Sequence, residues 1–164
     1  MKTITKTIIY LQMTALFLTA AFAGPQAAEQ GVPFRGSVTE SVETGSSFEF
    51  PFYFSMGTFI GQATHLGRFT ATYEVQINVL TGVGVGPNHF IAANGDSLFT
   101  ELIGQSYPTK NPDVVLIVNV HSITGGTGRF AGATGSFTEN VLLNLVTFNG
   151  PSSFDGTIVI AKGK

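Results

Sequence analysis

Residues 69–79 read Phe-Thr-Ala-Thr-Tyr-Glu-Val-Gln-Ile-Asn-Val, apolar at every odd position and polar at every even one. Successive side chains of an extended chain point to opposite faces, so this order builds one apolar face and one wet face. A helix would spread the same apolar groups around its whole circumference. The stretch is therefore a strand, and a strand with one solvated face belongs in an antiparallel sheet.

The same alternation recurs, less cleanly, at residues 34–42, 88–93, 97–103, 129–137, 139–148 and 154–161. Residues 48–54, Phe-Glu-Phe-Pro-Phe-Tyr-Phe, read as an edge or bulged strand, because Pro51 has no amide proton to give to a ladder. Residues 114–121 are nearly all apolar, as for a strand covered on both faces. Asn94-Gly95 signals a type I′ hairpin turn. No helix of ordinary length is expected after the N-terminal segment. The expected fold is all-β, a closed antiparallel barrel of about eight strands, with a two-sheet sandwich as the alternative.

The N-terminus carries Lys2 and Lys6, then a mostly apolar run over residues 8–21, then Ala21-Phe22-Ala23 before Gly24. That order predicts a secretory signal peptide at residues 1–23, a flexible leader at 24–32 and a single barrel domain at 33–164. The run falls short of the roughly 20 residues that span a bilayer. The expected location is secreted or periplasmic, with no membrane anchor after cleavage. The chain has no cysteine, so its core must hold it together without disulfides. Once Lys2 and Lys6 are removed, the remaining basic residues are outnumbered by acidic ones and form no cluster. Nucleic acid and anionic membrane surfaces are therefore not expected partners. An outer-membrane barrel fits poorly, because tryptophan is absent and no aromatic girdle is visible.

Chemical motifs are scarce. The glycine run at 125–128 lacks the Gly-Lys-Ser/Thr ending of a phosphate loop and precedes no helix. His65, His89 and His121 have no ligand spacing, so no metal or other cofactor is expected. No nucleophile elbow is present. Aromatic richness without a motif points to an apolar small molecule held in the lumen. If the apolar face of residues 69–79 points inward, Phe69, Tyr73, Val75 and Ile77 line it, with Phe99, Phe130 and Phe137 as companions. A cyclase or isomerase acting on such a molecule needs only one or two buried polar groups. Glu101, between Phe99 and Ile103, is the first candidate, followed by Tyr73 and His121. The apolar runs at 114–118 and 141–146 predict a homo-oligomer that covers them, which offers a structural role as a further alternative.

Residues 123–137 place glycine at 125, 126, 128, 132 and 135 around Arg129-Phe130 and Phe137, and Gly67-Arg68-Phe69 repeats the Gly-Arg-Phe step. So much glycine suits tight turns and a strand, not a helix. The segment resembles the glycine-rich turn and strand of the dirigent and allene oxide cyclase-like barrels, most closely secreted bacterial proteins of that kind. The resemblance implies an eight-stranded barrel that assembles into oligomers and holds an apolar molecule in its lumen. The catalytic acids and arginines of those families have no counterpart positions here, so no activity carries over.

Overall fold

The computed structural model describes residues 30–161. The expected signal segment and most of the leader lie outside the described residues. Eight strands follow in order: β1 (Val32–Glu49), β2 (Phe52–Ala63), β3 (Gly67–Asn78), β4 (Val83–Ala92), β5 (Ser97–Pro108), β6 (Val114–Gly126), β7 (Thr134–Asn144) and β8 (Ser152–Val159). Each is antiparallel to the next, and β1 pairs with β8 to close the barrel. Closure leaves no unpaired edge and rules out the sandwich. The one helical element among the described residues is a 3₁₀ turn, Gly128–Phe130.

Because every connection is a hairpin, the turns alternate between the two ends of the barrel. One end carries the turns at 64–66, 93–96 and 127–133. The other carries those at 50–51, 79–82, 109–113 and 145–151.

The first end is packed solid. Phe34, Phe59, Phe69, Phe90, Phe137 and Phe154 come from six strands and meet on the axis. Their rings sit edge-on or tilted, with centroids 5.2 Å apart for Phe34 and Phe137 and 5.4 Å apart for Phe69 and Phe90, the geometry that ring quadrupoles favour. Gly61 of β2 makes room, since a Cβ there would lie 2.7 Å from the Phe69 ring. Leu66 and Phe130 seal this end from below.

The outer wall is mixed. β3 presents Thr70, Thr72 and Glu74 to solvent, β8 presents Ser153, Asp155 and Thr157, and Arg35 pairs with Asp155 across the β1–β8 seam. A barrel spanning lipid needs an apolar band all the way round, with its polar residues inside. Here those two polar stripes face out and phenylalanine faces in. On the far side Val85, Ile103 and Val120 stand opposite one another on β4, β5 and β6 and are exposed.

Several local expectations change. Residues 48–54 are not one strand but the end of β1, a turn at Phe50-Pro51 and the start of β2. Pro51 in the turn avoids the ladder altogether. Residues 129–137 split into the 3₁₀ turn and the start of β7, and β7 runs on through most of 139–148. The Asn94-Gly95 hairpin exists, but its turn spans residues 93–96 and only Gly95 takes positive φ, so it is not type I′. β6 is not covered on both faces, as Val120 is half exposed.

Candidate functional site

Above the phenylalanine floor, every strand contributes at least one polar side chain to a belt around the inside of the barrel. The members are Glu43 (β1), Ser55 (β2), Tyr73 (β3), Asn88 (β4), Thr100 (β5), His121 (β6), Glu139 (β7) and Ser152 (β8). Most occupy the inward position one or two steps along the strand from a core residue: Glu139 from Phe137, Asn88 from Phe90, Ser152 from Phe154, Thr100 from Leu98, His121 from Ile123 and Ser55 from Phe59.

Hydrogen bonds join the belt into two arcs. In one, the Glu139 carboxylate accepts from Ser152 Oγ at 2.7 Å, Asn119 Nδ2 at 3.0 Å and His121 Nε2 at 3.4 Å. A carboxylate only accepts, so Nε2 carries the His121 proton. The other ring nitrogen, Nδ1, lies 3.2 Å from Thr100 Oγ1, and the imidazole stacks on Phe137 at 4.3 Å and 10°. Burial alone would raise the Glu139 pKa, but the bond from His121 and its electrostatic attraction, with the bonds from Asn119 and Ser152, hold it below the ordinary value.

In the other arc Glu43 accepts from Tyr53 Oη at 3.0 Å and Ser55 Oγ at 2.6 Å. Burial opposes its charge, and these bonds together with one from Ser46 again lower its pKa. The Ser55 hydroxyl lies 3.5 Å from Tyr73 Oη. The Tyr73 pKa is raised, by burial first, against the Ser55 bond, and also by the charge of Glu43.

Asn88 stands between the arcs. It is directly paired with Tyr73 on one side and Thr100 on the other. It is buried, yet its Oδ1 has no hydrogen-bond partner. A buried amide oxygen without a partner costs about 1–3 kcal/mol.

Beyond the belt the inward residues are only partly buried: Val75, Ile77, Ile117, Val141 and Leu143. Gly84 and Gly104 lie beside them without a side chain, and a Cβ at Gly104 would collide with Asn119 Oδ1. This half of the barrel is less tightly enclosed than the floor.

The candidate residues therefore divide into three groups. Phe69, Phe130 and Phe137 belong to the packed floor. Tyr73 and His121 sit on the belt, and Val75 and Ile77 line the less enclosed half. Phe99 and Glu101 are exposed on the outer wall, Phe99 with its ring 4.9 Å from His89. Both faces of β5 are apolar, Leu98 and Leu102 inside against Phe99 and Ile103 outside, so alternation alone could not choose between them. Glu139, Glu43, Asn119, Asn88, Thr100 and Ser152 were missed. The signal that could have found them is a polar residue one or two strand steps from an aromatic or aliphatic core position.

The belt is better built for holding than for proton transfer. Both ring nitrogens of His121 are engaged, leaving no free lone pair for a substrate. Tyr73, with its raised pKa, offers a phenol proton to donate, and Asn88 offers an acceptor. Two clefts lie against the outer wall, around Arg35 and Asp155 and around Phe52 and Thr81, and contain none of the candidates. Among the described residues no three His, Cys, Asp or Glu side chains group as a metal site would need. Comparison with family models, with curated proteins and with solved structures finds no match to this chain.

Proposed function

We propose that this protein binds a small, largely apolar molecule with an uncharged hydroxyl head in the less enclosed half of its barrel. The observation that carries the reading is the unpartnered Oδ1 of Asn88, buried at one of the two gaps between the hydrogen-bonded arcs. A hydroxyl placed there donates to Asn88 and accepts from Tyr73. Val75, Ile77, Ile117 and Val141 then surround the apolar remainder. Glu43 and Glu139 both have lowered pKa values and are ionised at neutral pH, so they disfavour a carboxylate head. A lumen for an apolar molecule is also what the resemblance to the dirigent and allene oxide cyclase-like barrels implies, and the kinship is proposed together with it. Isothermal titration with 1-dodecanol and with dodecanoate tests the reading. Dodecanol is expected to bind more tightly, and Asn88→Ala to weaken it about tenfold, the worth of one buried hydrogen bond. Equal binding by the variant, or no binding of dodecanol, refutes it.

A second reading concerns assembly. Val85, Ile103 and Val120 form a direct cross-strand row on the outer wall, flanked by Leu142 and Tyr107, all exposed. Monomers rarely leave such a contiguous face bare. The row suits contact with a second copy in a homo-oligomer. Sedimentation at micromolar concentration decides it, with a clean monomer as the contrary outcome.

A further inference from the structure

The less enclosed end of the barrel carries the most exposed apolar side chains of the described chain. Three hairpin turns that are consecutive around the rim present them: 145–151, 50–51 and 79–82. Val146 is 70% exposed, Phe50 and Leu80 are each 68% exposed, and Phe148 is 52% exposed. The fourth turn, 109–113, faces them across this end and carries Lys110 and Asp113. The three turns thus form an apolar crescent without charge of their own, with exposed Glu49 beside Phe50 at the end of β1 and one polar turn opposite.

Two of the crescent turns are built alike. Residues 78–81 read Asn-Val-Leu-Thr and residues 144–147 read Asn-Leu-Val-Thr. In the first, Asn78 Oδ1 accepts the amides of Leu80 and Thr81 at 3.0 and 3.3 Å. In the second, Asn144 Oδ1 accepts those of Val146 and Thr147 at 2.8 and 3.0 Å. Each turn is fixed by its own asparagine and holds its apolar pair out into solvent. Phe148 adds strain, because its φ is +50°, where residues other than glycine rarely sit. Turns in water normally carry polar residues, so ordered, strained apolar tips call for a cover.

We propose that this crescent docks the barrel, rim first, on an uncharged lipid surface. Three reasons favour lipid over a second copy or a protein partner. The tips are separate prongs around a rim, and a fluid acyl layer admits separate prongs where a folded surface would need matching pockets. The crescent turns contain no charge, and the charged groups around the rim, Lys110 and Asp113 on the opposite turn and Glu49 at the end of β1, include no cationic cluster, so charge complementarity selects a neutral surface over an anionic one. The chain enters the barrel at Val32 and leaves it at Val159, both at the far end, so neither flank of the described chain lies over the crescent. The docking does not depend on the lumen being occupied.

Flotation of the full chain with phosphatidylcholine vesicles tests this. The wild type is expected to float, and to remain bound in ~0.5 M salt, where electrostatic attraction is screened. The triple variant Leu80→Ser, Val146→Ser, Phe148→Asn should lose tenfold or more in partitioning while keeping its β-type circular dichroism, and Ile60→Ser on the exposed outer wall of β2 should float like the wild type. Phe148→Asn alone separates docking from stability. Asparagine tolerates positive φ, so that variant should melt at a higher temperature and yet bind vesicles less. Failure of the wild type to float overturns the proposal, as does equal flotation of the triple variant. Vesicle-free sedimentation that shows a dimer lost in the triple variant also overturns it, and assigns the crescent to a second copy.

Discussion

Glu139 is a carboxylate in a place where burial alone would keep it protonated. Three donors reverse that and hold its pKa below 4.5. A folded pKa below the unfolded one means the group stabilises the fold fully above the unfolded value, and that this contribution is lost as pH falls through the lower folded value. Glu43 acts in the same direction. Glu139→Gln is therefore expected to melt lower than wild type at neutral pH, with the difference shrinking as the pH falls below the ordinary carboxylate range in a series of thermal melts. A difference that stays constant with pH would contradict the ionised state. At this scale the sequence was partly legible. Tyr73 and His121 were visible as polar residues at inward positions of apolar strands. Glu139 was hidden because Val141, Leu142, Leu143 and Leu145 follow it and suggest a two-faced apolar strand. Glu101 was misplaced because its strand is apolar on both sides.

Strands were easier to read than the joints between them. Alternation located β3 nearly to the residue, while β1, broken by bulges between Val38 and Glu40 and between Glu43 and Gly45, kept no constant phase. Each bulge moves the inward positions by one, from Val38 to Glu43, so a single parity cannot describe the strand. The glycine-rich joint before β7 offered another ambiguity. Gly67 and Gly128 both take positive φ, at 66° and 55°, and both precede Arg-Phe with a buried phenylalanine. The first launches a strand, whereas the second launches a 3₁₀ turn that returns Phe130 under the floor. Phe130 is fully buried there, so Phe130→Ala is expected to destabilise the barrel by about 3–5 kcal/mol in urea unfolding. A loss below about 1 kcal/mol would show that the floor closes without it.

For the whole molecule, closure was legible from strand number and the lack of helices, whereas the contrast between a packed end and a less enclosed one was not. That contrast depends on which inward positions carry large side chains: phenylalanine gathers near one set of turns, and valine, isoleucine and glycine near the other. The outer row on β4, β5 and β6 gives a prediction at this scale. If the row joins two copies as proposed, Ile103→Arg should shift sedimentation toward the monomer, and it should leave the melting temperature of the isolated barrel within a few degrees, since the side chain is 66% exposed. The pairing of β1 with β8 has a mechanical consequence. Their hydrogen-bonded rungs begin at Val32 opposite Ile158, and both strands end on the same side of the barrel. Tension applied between Gln30 and Ala161 therefore loads those rungs one after another, like a zipper pulled from its end, and never all at once in shear. In an optical trap the seam should yield at low force, while the same force applied between Glu40 and Ala161, which pulls β1 along its own length, should leave it shut.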